Sequence, residues 1–224
     1  MNKKSYVVIT PVKDEAQFIE KTLESMIGQT TRPEAWVIVN DGSKDDTEKI
    51  VERYVVEYPW IKLVNREDRG FRKRGQGVVE AFYAGYEALE VQAYDFIIKL
   101  DGDVSFEPTY FESLLREFAA NPKLGIAGGG VYESPDGERW VLRTVKSHVR
   151  GATKMYRRSC FEDIGGLVPT IGWDGIDEWK ALTLGWEVRS FSKFEMFHYR
   201  YTGMATGSLR SRVEEGHAAY YMGY

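Results

Sequence analysis

The chain has 224 residues, 43% hydrophobic and 29% charged, with a formal net charge of −4. That is enough material for one large core, and the negative balance argues against a general nucleic-acid binder. A single cysteine, Cys160, excludes an internal disulfide framework and fits a reducing compartment.

Tyr6-Val7-Val8-Ile9 is a short continuous apolar run, the pattern of a strand buried on both faces. Lys3 and Lys4 precede only that run, which is too short for a signal-peptide core. Nor does any apolar run approach the roughly 20 residues that span a bilayer. A cytoplasmic chain is therefore expected, with attachment at the inner face of a membrane left open. After Thr10-Pro11, Asp14 and Gln17 are placed to cap a helix. The apolar face of that helix is Ile19, Leu23, Met26 and Ile27, and Pro33 bars its continuation.

The unit then repeats. Trp36 to Val39 reads as a strand, Asn40-Asp41-Gly42-Ser43 as a turn, and Ile50, Val51, Tyr54 and Val55 as a helical stripe ended by Pro59. Ile61 to Val64 is a third strand, a helix follows from about Val78 to Glu90, and Tyr94 to Leu100 is a fourth strand. Strand–helix alternation of this kind predicts an α/β fold, a mostly parallel Rossmann-like sheet flanked by helices.

Pro108 suits the first turn of a further helix with the buried stripe Phe111, Leu114, Leu115 and Phe118. The turn Ser134-Pro135-Asp136-Gly137 predicts a hairpin between Gly130–Glu133 and Arg139–Val145. Beyond it a smaller mixed α+β half is expected, with a helix near Asp177–Leu184 and strands near Val188–Phe191 and Glu195–Tyr201. The two halves, 1–104 and 105–224, are expected to form one continuous unit. The tail Val213–Tyr224 reads as a helix just beginning, which fits a longer, membrane-associated protein.

The fourth strand ends in Asp101-Gly102-Asp103. At the carboxyl end of a parallel strand these acids face the crevice where open α/β sheets bind ligands, and their spacing lets both reach one cation. Hard oxygen ligands suit Mg²⁺ or Mn²⁺. A plain Asp-Gly turn is the bland reading. Asp101, Asp103, Ser105, Glu107, Thr109 and Glu112 also match calcium-loop positions, but Phe106 stands where that loop needs glycine, and Pro108 lies inside it.

Other elements face the same crevice. Asp41 can accept a base imide N–H or a ribose hydroxyl, although its turn needs no ligand to explain it. Gly70 to Gly77 lacks the Lys-Ser/Thr of a phosphate loop, and Glu80 replaces the third glycine of a dinucleotide fingerprint. What survives is a basic cluster, Arg72, Lys73 and Arg74, ahead of a helix N-terminus that favours an anion. In Trp173-Asp174-Gly175-Ile176-Asp177-Glu178 some acids serve as helix caps, and one is a candidate general base. His198, on an aromatic strand, can join two carboxylates around a divalent cation.

Together these motifs resemble the family 2 glycosyltransferases, which have the glycosyltransferase A fold. The matching stretches are Val8–Glu15, Val39–Ser43, Leu100–Asp103 and Trp173–Glu178, with Gly151–Arg158 and Gly165–Leu167 resembling the middle segment. The resemblance implies inverting sugar transfer from a nucleotide-diphosphate sugar to a hydroxyl acceptor, glycan, lipid-linked or other. By it, Asp41 meets the nucleotide base with the Thr10, Pro11 and Val12 backbone, and the donor site also takes in Glu15, Lys73, Arg74 and Gly102. Asp101 faces the ribose and the metal, Asp103 binds the Mn²⁺ or Mg²⁺, and His198 is similar to the carboxyl-terminal metal ligand. Asp174 fits the position of the catalytic base by its spacing to Gly185-Trp186, with Asp177 as second candidate. Two rival functions are a non-catalytic nucleotide-sugar or carbohydrate-binding domain and a sugar-nucleotide pyrophosphorylase. The pyrophosphorylase should carry a Gly-rich basic loop after the first strand, where this chain has Thr10-Pro11-Val12-Lys13-Asp14.

Overall fold

The computed structural model describes residues 4–70, 75–134, 138–144 and 146–200. Arg72, Lys73 and Arg74, the turn at 135–137 and the helix expected over 213–224 lie outside those residues.

The apolar run at the N-terminus becomes β1 (Tyr6–Val12), with β2 (Ala35–Asn40) parallel on one side and β4 (Phe96–Leu100) parallel on the other. β3 (Ile61–Asn65) adds in parallel outside β2. Because β1 is fully buried, its side chains alternate between two cores. Tyr6 and Val8 pack in a cluster with α1 (Ile19–Ile27), α2 (Thr47–Glu57) and α4 (Tyr110–Ala120). Val7 and Ile9 pack with α3 (Gln76–Glu87), α5 (Arg158–Asp163) and α6 (Trp173–Thr183). A strand covered on both faces has no place for alternating polar residues, which is why it reads as a continuous apolar run. The predicted stripes of α1 and α4 are the ones that pack: Ile19, Leu23, Met26, Phe111, Leu114 and Phe118 are all buried. Each such side chain contributes roughly 1.5–3 kcal/mol.

The parallel sheet continues without a break into a mixed half. β8 (Thr153–Arg157) pairs antiparallel with β4 and with β6 (Leu124–Glu133), and β9 (Glu187–His198) lies between β6 and β5 (Val104–Phe106). The order is β3-β2-β1-β4-β8-β6-β9-β5, with β7 (Val141–Leu142) pairing β6 as the expected hairpin.

Four local expectations need correction. Asp14 and Gln17 do not cap α1, whose N-cap residue is Phe18 and carries no side-chain cap. Asp14 instead sits at φ 55° and accepts the Lys44 N–H at 2.8 Å, so its carboxylate pins one loop to another. Pro108 precedes α4 rather than opening it; its carbonyl accepts the Thr30 N–H, and Thr109 is the N-cap residue. The two late strands are one strand, β9, whose register against β6 shifts between Gly129 and Gly130, an irregularity that breaks the apolar alternation without ending the ladder. The last helix starts at Trp173, so Asp174 lies in its first turn rather than ahead of it.

Candidate functional site

β1, β2 and β4 are parallel, so their carboxyl ends open on one edge of the sheet. β1 is where the connections change side, the place where such sheets hold ligands. Thr10 is buried and accepts the Trp36 indole N–H at 2.8 Å, while the Val12 carbonyl accepts the Asp41 N–H at 2.8 Å. These bonds fix the loop after β2 against the end of β1. Lys13 adds to the clamp, donating to the Asp41 carbonyl and to Asp68, both at 2.8 Å. Gly42, at φ 73°, leaves no room for a side chain, because a Cβ there would lie 2.5 Å from the Asp68 Cα.

The Asp41 carboxylate is not idle in that loop. One oxygen takes Arg66 at 2.7 Å and the other takes Arg69, which also holds Glu80. Glu15 is nearly buried and pairs with Arg200 at 2.7 Å. Gly102 lets β4 end close to β1, since a Cβ on it would meet Val12 at 2.6 Å.

The acids after β4 are held from opposite sides. Asp101 pairs with Lys99, a buried ammonium that also donates to the Gly151 carbonyl at 2.7 Å. Asp103 is 3.4 Å from His198 Nε2, because β5 and β9 pair Val104 with His198. Ligand atoms of Asp101, Asp103 and His198 all lie within 4.8 Å of one another. Two carboxylates and an imidazole at that spacing form a donor set that fits a divalent cation. Burial by itself would lower the His198 pKa, but the hydrogen bonds to Asp103 and Glu133 outweigh it and raise it to about 10.

α6 brings its acids to different places. Asp177 is 1% exposed; one oxygen takes Lys154 at 2.8 Å and the other takes the Tyr156 hydroxyl. Burial pushes its pKa up, and Lys154 pulls against that shift. Glu178 takes Lys154, the Val149 N–H and His148. Asp177 therefore does not cap the helix, and both of its oxygens are engaged below the surface. The side chain of Asp174, by contrast, is partly exposed and has no hydrogen-bond or ion-pair partner among the described residues. Its Oδ2 lies 3.3 Å from where a Cβ on Gly151 would sit, and the Gly151 carbonyl binds Lys99. Trp173 packs between the two sets of acids, with Lys99 Nζ 5.3 Å and Lys154 Nζ 5.6 Å from its ring.

A family model described as glycosyl transferase family 2 matches residues 7–173, three-quarters of the chain and every element from β1 to the start of α6. The chain belongs to glycosyl transferase family 2. Among its relatives is the glucosyl-dolichyl phosphate glucuronosyltransferase of Haloferax volcanii, 28% identical over 141 residues, which are 63% of this chain and 40% of that protein. The chain thus spans less than half the length of that relative. In structure it resembles a mannosyltransferase from Pyrobaculum calidifontis solved with GDP-Man and Mn²⁺, with a TM-score of 0.67 at 16% identity over 96% of this chain and 61% of that one. It also resembles TarS of S. aureus solved with UDP-GlcNAc, with a TM-score of 0.68 at 17% identity over 91% of this chain and 61% of that one. These likenesses establish the glycosyltransferase A fold expected from the sequence. Among the described residues no helix is long and apolar enough to cross a membrane.

Of the residues the sequence singled out, the structure brings Asp101, Asp103 and His198 together and sets Asp174 against Gly151, whose carbonyl binds the Lys99 that pairs with Asp101. Lys73 and Arg74 lie outside the described residues. Sequence reasoning missed Lys99, Lys154 and Glu133. For Lys99 a signal was present: it is a charge inside the apolar run Phe96–Leu100, and charges are almost never buried without partners. Glu133 carried no local signal.

Proposed function

We propose that this domain transfers a sugar from a nucleotide-diphosphate sugar to an acceptor hydroxyl with inversion. The observation that carries the reading is the convergence of Asp101, Asp103 and His198 at the carboxyl edge of the sheet, with Asp174, unpaired among the described residues, set against Gly151. Asp101, Asp103 and His198 would hold Mn²⁺ or Mg²⁺, which supplies charge neutralisation for the departing diphosphate. Asp41, with Arg66 and Arg69 fixing its carboxylate, and the Thr10–Val12 backbone receive the nucleotide.

Asp174 accepts the proton of the acceptor hydroxyl as that oxygen attacks C1 of the donor sugar. The new C1–O bond forms while the C1–O bond to the diphosphate breaks, so one displacement inverts the anomeric centre. Asp174 suits this work because no cation among the described residues neutralises it, whereas Asp177 is locked on Lys154. Lys99 keeps Asp101 and the Gly151 loop together, which fixes the donor edge relative to the base. Positioning of this sort contributes as much as the proton transfer itself.

A panel of nucleotide sugars with and without Mn²⁺, scored for transfer or hydrolysis, tests the reading; no turnover of any donor would sink it. In titration calorimetry UDP or GDP is expected to bind at least about 10-fold more weakly with EDTA than with Mn²⁺, because Asp101 and Asp103 repel bare phosphates. Equal affinity in both conditions removes the metal from the proposal. Asp41→Ala is expected to weaken the same binding by about 10-fold, the loss of one hydrogen bond to a charged group. Unchanged affinity would return Asp41 to a purely structural clamp on Arg66 and Arg69.

A further inference from the structure

The sheet order sets β9 between β5 and β6, so His198 has a carboxylate on each side. Glu133 is the residue registered directly against it on β6, and Asp103 precedes Val104, its partner on β5. Glu133 Oε1 lies 3.1 Å from His198 Nδ1, and Asp103 Oδ1 lies 3.4 Å from Nε2. Glu133 is 2% exposed, and Arg150 Nη2 reaches the same oxygen at 2.9 Å. A carboxylate buried to that extent costs several kcal/mol unless paired, and Arg150 alone is enough to pair it. The second contact has a separate consequence: it fixes which ring nitrogen of His198 faces Asp103.

We propose that Glu133, anchored by Arg150, is a positioning residue that accepts the Nδ1–H of His198, so that with a cation bound the imidazole is the Nδ1–H tautomer and offers its Nε2 lone pair to the cation beside Asp103. The proposal rests on the metal role given above to Asp101, Asp103 and His198. Ligating imidazoles commonly donate their other N–H to a carboxylate, which raises ligand basicity and fixes the ring plane. Here the carboxylate comes from β6, the strand beside β9. Its place at the end of a long strand makes it part of the sheet rather than of a loop, so the ring is oriented before any ligand arrives.

Mn²⁺ alone, and Mn²⁺ with UDP or GDP, is titrated into the full chain, Glu133→Gln and His198→Ala. The wild type is expected to bind, His198→Ala to lose most of the affinity, and Glu133→Gln to bind about 10–100-fold more weakly with its melting transition retained. Because a buried substitution can unfold the chain, the second measurement uses the wild type. The nitrogen spectrum of ¹⁵N-histidine protein loaded with Mg²⁺ should show His198 protonated at Nδ1 only. Unchanged Mn²⁺ affinity in a folded Glu133→Gln variant, or a His198 ring protonated at Nε2, overturns the positioning role and leaves the metal site standing. A wild type that binds no Mn²⁺ with or without nucleotide overturns both.

Discussion

Asp174→Asn is expected to lower the transfer rate by about 10²–10⁴-fold while donor affinity stays within about twofold of the wild type. The amide keeps the shape of the side chain and can still accept a hydrogen bond, but it cannot take a proton. Its neighbours should not rearrange, because among the described residues no cation or donor depends on the Asp174 carboxylate. The effect should fall on kcat and on kcat/KM alike, since the proton moves only in the transition state. Single-turnover kinetics together with nucleotide titration make the check. A rate within about tenfold of the wild type would remove Asp174 as the base. Loss of nucleotide binding in the variant would assign it to the donor site instead.

The second large effect concerns stability. Lys154 is fully buried beneath α6, paired with Asp177 at 2.8 Å and Glu178 at 3.0 Å, and it also donates to the Asp174 carbonyl at 2.5 Å. Lys154→Met keeps much of the volume but strands two carboxylates without their cation. Breaking a buried pair from one side costs about 3–5 kcal/mol, a large share of a typical total of 5–15 kcal/mol. The loss should depend on pH. Burial already holds the Asp177 pKa above its ordinary value, and without Lys154 it rises further. A carboxyl with a folded-state pKa above its unfolded one favours folding at low pH and loses that contribution as pH rises through the folded value. The deficit of the variant should therefore be smallest near pH 4 and largest at neutral pH. Urea unfolding at both values measures it, and a deficit below about 1 kcal/mol at neutral pH would make the cluster dispensable. Since Lys154 also bonds the Asp174 carbonyl, a folded variant should lose transfer activity through misplacement of the base.

Much of the framework was legible in the chain itself. The apolar run Tyr6–Ile9 could only be a strand covered on both faces, and the stripes of α1 and α4 could only pack inward, because their spacing repeats the geometry of the element. Asp101 and Asp103 were placed by the same logic, as acids where a buried strand stops. His198 and Asp174 needed the family resemblance as well, since nothing within a few residues of either says what faces it.

What the chain alone left undecided was every choice that depends on charges from distant segments. Asp14 looked like a cap and became a link to Lys44; Glu15 is held by Arg200, and Asp41 by Arg66 and Arg69. Asp174 and Asp177 lie three residues apart among acids, and in sequence only the spacing to Gly185-Trp186 in the family resemblance favours Asp174. Tertiary structure separates them further, burying Asp177 on Lys154 and leaving Asp174 beside Gly151 without a pairing partner among the described residues. The physical reason lies in range. Hydrophobic periodicity is set by backbone geometry over a few residues, so the sequence by itself determined β1 to β4, α1 to α4 and the edge where the acids gather. Whether a carboxylate is neutralised depends on cations that arrive from other strands, so which acid is left free to act was decided only when β4, β6, β8, β9 and α6 came together.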